Sequence, residues 1–198
     1  MLKLSPMLDI TQALKTLAVS HSPLAFDVHV VAIKNEVKEV LLLSGGKGVI
    51  TAIDLSEPEK AFSFTRDEES LSTLNFQTSL NFQLSTFNYL YEPSASILKA
   101  GAYKLVAQRF GLHKLDVNTH LYASDTLIEN FPGRIWKCLN EPINAKMVHG
   151  QMVNVLVRNY PLTAEQLKKK LQLKDGGDLY IIGCRINGKP TVLMAERI

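Results

Sequence analysis

The run Val153-Asn154-Val155-Leu156-Val157-Arg158-Asn159-Tyr160-Pro161-Leu162-Thr163-Ala164-Glu165-Gln166-Leu167-Lys168-Lys169-Lys170-Leu171 decides the fold class, because its hydrophobic period changes from strand to helix at a readable point. Val153 to Arg158 alternates as a strand does. Thr163 then caps a helix, Gln166 completes a capping box three residues on, and Leu162 can staple onto Leu167. Downstream, Gly176-Gly177 is expected to stop that helix, Leu179 to Ile186 reads as a strand, Asn187-Gly188 as a two-residue hairpin turn, and Pro190 to Glu196 as the returning strand. Upstream, Gly133 to Leu139 is a strand and Ile143 to Val148 a short helix or turn. The order strand, short helix, strand, helix, strand, strand predicts an α+β unit over residues 131–198.

Toward the N-terminus, Tyr91-Glu92-Pro93-Ser94 opens a helix with Ser94 as N-cap and Gly111 as its stop, its apolar face made by Ile97, Leu98, Ala102, Leu105, Val106 and Phe110. Thr119 to Ala123 is a short strand, and Ser124-Asp125-Thr126 is expected to begin a helical turn. Residues 56–90 are acidic and polar and read as a connecting segment, with Phe76, Leu80, Phe82, Leu84 and Phe87 as anchors. Before it, Leu2 to Ser5 is a strand, and Asp9 with Gln12 starts a helix striped by Ile10, Ala13, Leu14, Leu17 and Ala18. Phe26 to Lys34 and Val37 to Leu43 form a hairpin, Gly45-Gly46-Lys47-Gly48 reads as a further hairpin turn, and Val49 to Leu55 is another strand. A first strand so apolar belongs inside a covered α/β layer, so residues 1–55 read as part of a layer whose beginning is missing.

Composition narrows the function classes. A chain of 198 residues with 46% apolar and 21% charged residues is globular, with room for one domain or two small ones. No apolar run reaches the roughly 20 residues that span a bilayer, and the first residues lack a signal-peptide pattern, so a cytoplasmic protein without a membrane partner is expected. Cys138 and Cys184 are too few for a disulfide framework and read as buried apolar residues. His21, His29, His113, His120 and His149 lack the spacing of metal ligands, and no Gly-x-Ser-x-Gly elbow is present. The Gly45–Gly48 run is not a phosphate loop, since a strand rather than a helix follows it.

Charge is unevenly placed. Residues 1–92 hold seven Lys and Arg against eleven Asp and Glu, a net of −4, whereas residues 93–198 hold fifteen against eight, a net of +7. This asymmetry points to a polyanion partner, with RNA or DNA the candidates. The candidate contacts are Lys99, Lys104, Arg109, Lys114, Arg134, Lys137, Lys146, Arg158, Lys168, Lys169, Lys170 and Lys174, because guanidinium and ammonium groups are what phosphate oxygens require. Trp136 and Tyr160 are candidate base-stacking rings. The competing expectation is a protein-interaction or dimerisation module with an apolar patch from Phe76, Phe82 and Phe87. Oligomeric state is not legible.

Several segments in order, Lys3-Leu4-Ser5-Pro6-Met7-Leu8-Asp9-Ile10, Tyr91-Glu92-Pro93-Ser94-Ala95-Ser96-Ile97-Leu98-Lys99-Ala100-Gly101-Ala102, Thr119 to Ser124, Phe131-Pro132-Gly133-Arg134, Val157 to Leu162 and Leu173 to Gly177, together resemble bacterial class I S-adenosylmethionine-dependent methyltransferases that end in a THUMP-like domain. The resemblance implies that residues 1–55 are the tail of the methyltransferase sheet, 91–130 a small ferredoxin-like region, and 131–198 the THUMP-like domain. It also implies that the S-adenosylmethionine loop, the ribose-binding acid and the catalytic motif lie in a part missing from these 198 residues. The chain is then a fragment or a shortened form with neither cofactor nor catalytic residues of its own. It is expected to be inactive alone and to bind RNA for the missing part.

Overall fold

In a computed structural model of the chain, residues 1–20, 25–72, 87–139, 143 and 148–198 are described. They divide into two compact units, Met1–Thr73 with Pro93–Gln108, and Leu74–Glu92 with Arg109–Ile198. Mixed sheets with few helices make the chain α+β, as the order of elements predicts.

The first unit is built on a five-stranded sheet in the order β1-β3-β2-β4-β5. Its strands are β1 (Leu2–Leu4), β2 (Phe26–Ile33), β3 (Glu36–Ser44), β4 (Val49–Asp54) and β5 (Phe62–Thr65). Val28, Val30, Ala32, Val40, Leu42, Ile50, Ala52, Phe62 and Phe64 are buried, the alternating residues that a half-covered strand directs inward. Helix α1 (Ile10–Ser20) opens with the Asp9 carboxylate accepting Gln12 N–H at 2.9 Å. The β2–β3 hairpin forms where the sequence puts it.

Among the described residues β1 pairs with β3 alone, and its Leu2 is exposed. Two expectations are corrected here. The Gly45–Gly48 run is not a hairpin turn, because β4 leaves β3 and pairs in parallel with β2. Residues 62–71, read as part of a connector, supply β5 and helix α2 (Arg66–Leu71) to this unit. Thr65 and Glu68 form a capping box on α2, a signal carried by Thr65-Arg66-Asp67-Glu68.

The helix expected from Ser94 to Gly111 is two helices, α3 (Ala95–Ala100) and α4 (Lys104–Phe110). Gly101 adopts φ 85°, a left-handed conformation that L side chains resist, and closes α3. The start of α4 is then capped from a distance: the Glu69 carboxylate accepts N–H of Tyr103 at 3.1 Å, Lys104 at 2.9 Å and Leu105 at 2.9 Å. A carboxylate on three free N-terminal amides satisfies both hydrogen bonding and the helix dipole. Glu69→Ala is therefore expected to destabilise the first unit by about 1–2 kcal/mol in urea unfolding followed by circular dichroism. An unchanged midpoint would count against this cap.

The second unit carries a seven-stranded sheet in the order β10-β11-β12-β9-β6-β8-β7. These strands are β6 (Tyr89–Pro93), β7 (His113–Asp116), β8 (Thr119–Ser124), β9 (Gly133–Leu139), β10 (Met152–Arg158), β11 (Lys174–Ile186) and β12 (Lys189–Arg197). The sheet curls back on itself: in the turn between β11 and β12, Asn187 N–H reaches Leu115 O of β7 at 3.0 Å and Gly188 N–H reaches Asp116 Oδ2 at 2.6 Å. Inside the curl lies a core of Phe87, Leu90, Leu115, Leu121, Ala123, Trp136, Cys138, Ile182, Cys184, Ile186 and Ala195. Against the outer face packs α5 (Ala164–Leu171), with both halves of the Thr163–Gln166 capping box present. Leu167 and Leu162 join the cluster beneath α5, as the staple predicts.

Helix α5 ends at Gln172, with φ 55°, and not at Gly176-Gly177, which lie inside β11. Ser124-Asp125-Thr126 makes no helical turn; Ser124 ends β8 and its Oγ accepts Thr126 N–H at 3.2 Å. Residues 144–147 of the expected short helix or turn lie outside the described residues.

Candidate nucleic-acid interface

Strand parity and helix position sort the predicted cations. On β9, Trp136 and Cys138 enter the core, so Arg134 shares their inward face and Lys137 points to the other, on which α5 lies. Lys137 is exposed and stands across from Glu196 of β12. Lys168, Lys169 and Lys170 occupy the last turn of α5, where positive charge also complements the helix dipole. Lys169, Lys170 and Lys174 are exposed, and Lys168 pairs with the exposed Asp175. An ion pair this open holds little energy and yields readily to a stronger anion.

Three other predicted contacts are occupied. In the first unit, Lys99 Nζ donates to Leu8 O at 2.7 Å and Lys104 Nζ to Ser70 O at 3.0 Å. In the second, Lys114 is buried, and its Nζ donates to the carbonyls of Asp116 at 2.7 Å and of Val117. Burial lowers the Lys114 ammonium to about 8, with Asp116 opposing the shift. A lysine with its charge inside the protein is not a surface contact, so that expectation is corrected. Arg109 is exposed at the end of α4, and Lys146 lies outside the described residues.

Arg134 and Arg158 are held by an acid that charge counting overlooked. Glu92 is 3% exposed. Its Oε2 accepts Arg134 Nη1–H at 3.2 Å, and its Oε1 accepts Arg158 Nε–H. The signal in sequence was weak, a single glutamate 42 residues from one partner and 66 from the other.

Neither expected stacking ring is free. Trp136 is 1% exposed, and Tyr160 lies against Gly183 and beneath α5. Phe87 is 2% exposed, which removes it from the apolar patch of the competing reading; Phe76 and Phe82 lie outside the described residues.

The Gly45–Gly48 loop is turned inward on its own anion. Asp27 Oδ1 accepts Lys47 N–H at 2.8 Å and Val49 N–H at 2.9 Å, and those bonds hold the carboxyl below its ordinary value. A Cβ on Gly46 would fall 2.3 Å from the Asp27 carboxyl carbon, so only glycine permits this approach. Beside the loop is an open cleft of about 400 Å³, floored by Leu14, Phe26, Val28 and Ile50 and rimmed by Lys47 and Arg66. Among the described residues no group of His, Cys, Asp and Glu gathers as a metal-ligand set, and no helix is long and apolar enough to cross a membrane.

With this geometry in hand, residues 89–132 match a ferredoxin-like domain family and residues 142–197 a THUMP domain-like family. The chain carries a ferredoxin-like and a THUMP-like domain. It is similar, at 32% identity and a TM-score of 0.78 over 98% of its length, to a solved structure described as a "putative methyltransferase from Porphyromonas gingivalis W83". The chain spans 50% of that protein's length. No curated protein matches it.

Proposed function

We propose that this chain is the substrate-recognition part of an S-adenosylmethionine-dependent RNA methyltransferase acting in the cytoplasm, gripping RNA through the second unit. The observation that carries the reading is similarity along nearly the whole chain to half of a structure described as a "putative methyltransferase", combined with a THUMP-like domain whose helix α5 ends in Lys168, Lys169 and Lys170.

In this reading S-adenosylmethionine and the methyl-transfer site belong to a class I catalytic part that this chain does not supply, and the chain alone is inactive. Two features support the division. The Lys47 and Val49 amides donate to Asp27, so that carboxylate already fills the inner side of the glycine-rich loop. Among the described residues no strand pairs with the outer edge of β1, beside exposed Met1, Leu2, Met7 and Leu8, and a further sheet can pair there.

Filter binding of a structured RNA to the full chain tests the recognition half. Affinity is expected to fall steeply with salt, since each phosphate contact releases counterions. Replacing Lys168, Lys169 and Lys170 together by alanine is expected to weaken binding by about tenfold or more at low salt and to flatten the salt slope, with the unfolding transition retained. Binding indifferent to salt, or an unchanged dissociation constant in the triple variant, would overturn the reading.

A further inference from the structure

Strand periodicity gathers polar side chains at one end of the second unit's curled sheet. The core residues Leu90 on β6, Leu121 on β8, Trp136 on β9 and Leu156 on β10 face inward. Glu92, Thr119, Arg134 and Arg158 lie two residues from them on the same strands, and side chains at that spacing share a face. Hydrogen bonds show that they meet at the mouth of the core. Glu92 joins Arg134 to Arg158, and Asn159 Nδ2 donates to Thr119 Oγ1 at 3.2 Å.

Among the described residues, the paired charges at this mouth do not balance. One carboxylate, almost wholly buried, lies between two guanidiniums whose side chains are 34% and 36% exposed. Arg158 spends a further N–H on Val157 O at 2.8 Å. A guanidinium has five N–H donors, so both arginines keep donors on the solvent side, together with one surplus positive charge. A tetrahedral anion with several oxygens can take N–H groups from two forks at once.

We propose that Arg134 and Arg158 form a site for a single phosphate group at this mouth, with Glu92 as the positioning residue that fixes the spacing of the two guanidiniums. The inference deepens the RNA reading and rests on it for the natural source of the phosphate, an RNA backbone diester. Free phosphate is the other source with the same chemistry.

The test is a titration of the full, nitrogen-15-labelled chain with inorganic phosphate at constant ionic strength, following the Nε–Hε signals of both arginines by NMR. Both signals are expected to shift saturably with one midpoint. Arg158→Lys, which keeps the charge and loses the fork, is expected to weaken phosphate binding by about tenfold. If neither wild-type signal responds saturably, or chloride produces the same shifts, the site does not exist. A second titration uses a five-nucleotide single-stranded RNA. Displacement of phosphate by this RNA assigns the site to a backbone diester. Phosphate binding with no RNA bound anywhere on the chain keeps the site, assigns it to free phosphate, and fails the RNA reading instead. RNA binding that leaves both arginine signals unmoved, with phosphate also without effect, overturns this site and spares the RNA reading.

Discussion

Trp136→Ala is expected to lower the unfolding free energy of the second unit by about 4 kcal/mol, the scale for removing a large aromatic from a packed core. Trp136 is 1% exposed and shares its cluster with Leu90, Leu121, Cys138, Ile182 and Cys184. Tyr180 meets it edge-on, with centroids 6.1 Å apart and planes at 67°. The cavity would open in the middle of the curl, where strands from both ends of the sheet converge, leaving little freedom for neighbours to close it. The indole Nε1 is buried without a hydrogen-bond partner among the described residues, a burden of about 1–3 kcal/mol for such a group. Trp136→Phe removes that burden and keeps most of the ring. It is expected to stay within about 2 kcal/mol of the parent protein. Urea unfolding followed by far-ultraviolet circular dichroism measures both variants, since the chain has one tryptophan and either variant abolishes its fluorescence. Equal destabilisation by alanine and phenylalanine would mean that the indole itself, and not the filled volume, supports the fold.

The same residue shows what could be read in advance. Its strand was legible from Gly133 to Leu139, but the neighbouring Lys137 suggested a ring at an RNA surface. Only the pairing of β9 with β12 and β6 decides which alternate residues face inward, and pairing partners far apart in sequence leave no local trace. The capped helix α5 and the Asn187-Gly188 turn were legible because their determinants lie within a few residues of one another. The break at Gly101 was not, because the carboxylate that starts α4 comes from Glu69 on a separate helix. The parallel pairing of β4 with β2 hid behind a glycine-rich run that local rules assign to a hairpin. In the candidate interface, charge counting singles out the lysines of α5 and gives Arg134 and Arg158 the same role. The structure puts those arginines on the opposite face and gives them a buried glutamate that a net-charge argument can only subtract.

Acid is expected to weaken the second unit through His120. Burial, and next the charge of Lys114, lower this imidazole from 6.5 to about 4. Above the ordinary value neither folded nor unfolded chain carries the proton, and the stabilisation is complete. Between about pH 6.5 and 4 the unfolded chain takes up a proton that the folded chain refuses, so stability drains away as pH falls, by about 3 kcal/mol in all. Below that window both states are protonated and this group adds no further slope. Lys114, lowered from 10.5 to about 8, acts with the same sign at higher pH. From about pH 8 to 10.5 the folded chain has shed a proton that the unfolded chain keeps, so stability rises with pH there. Urea midpoints followed by Trp136 fluorescence should therefore climb, level off near neutrality, and climb again. His120→Gln should flatten the acid arm and leave the alkaline arm in place. An acid arm unchanged in that variant would assign the loss to other groups and not to the imidazole.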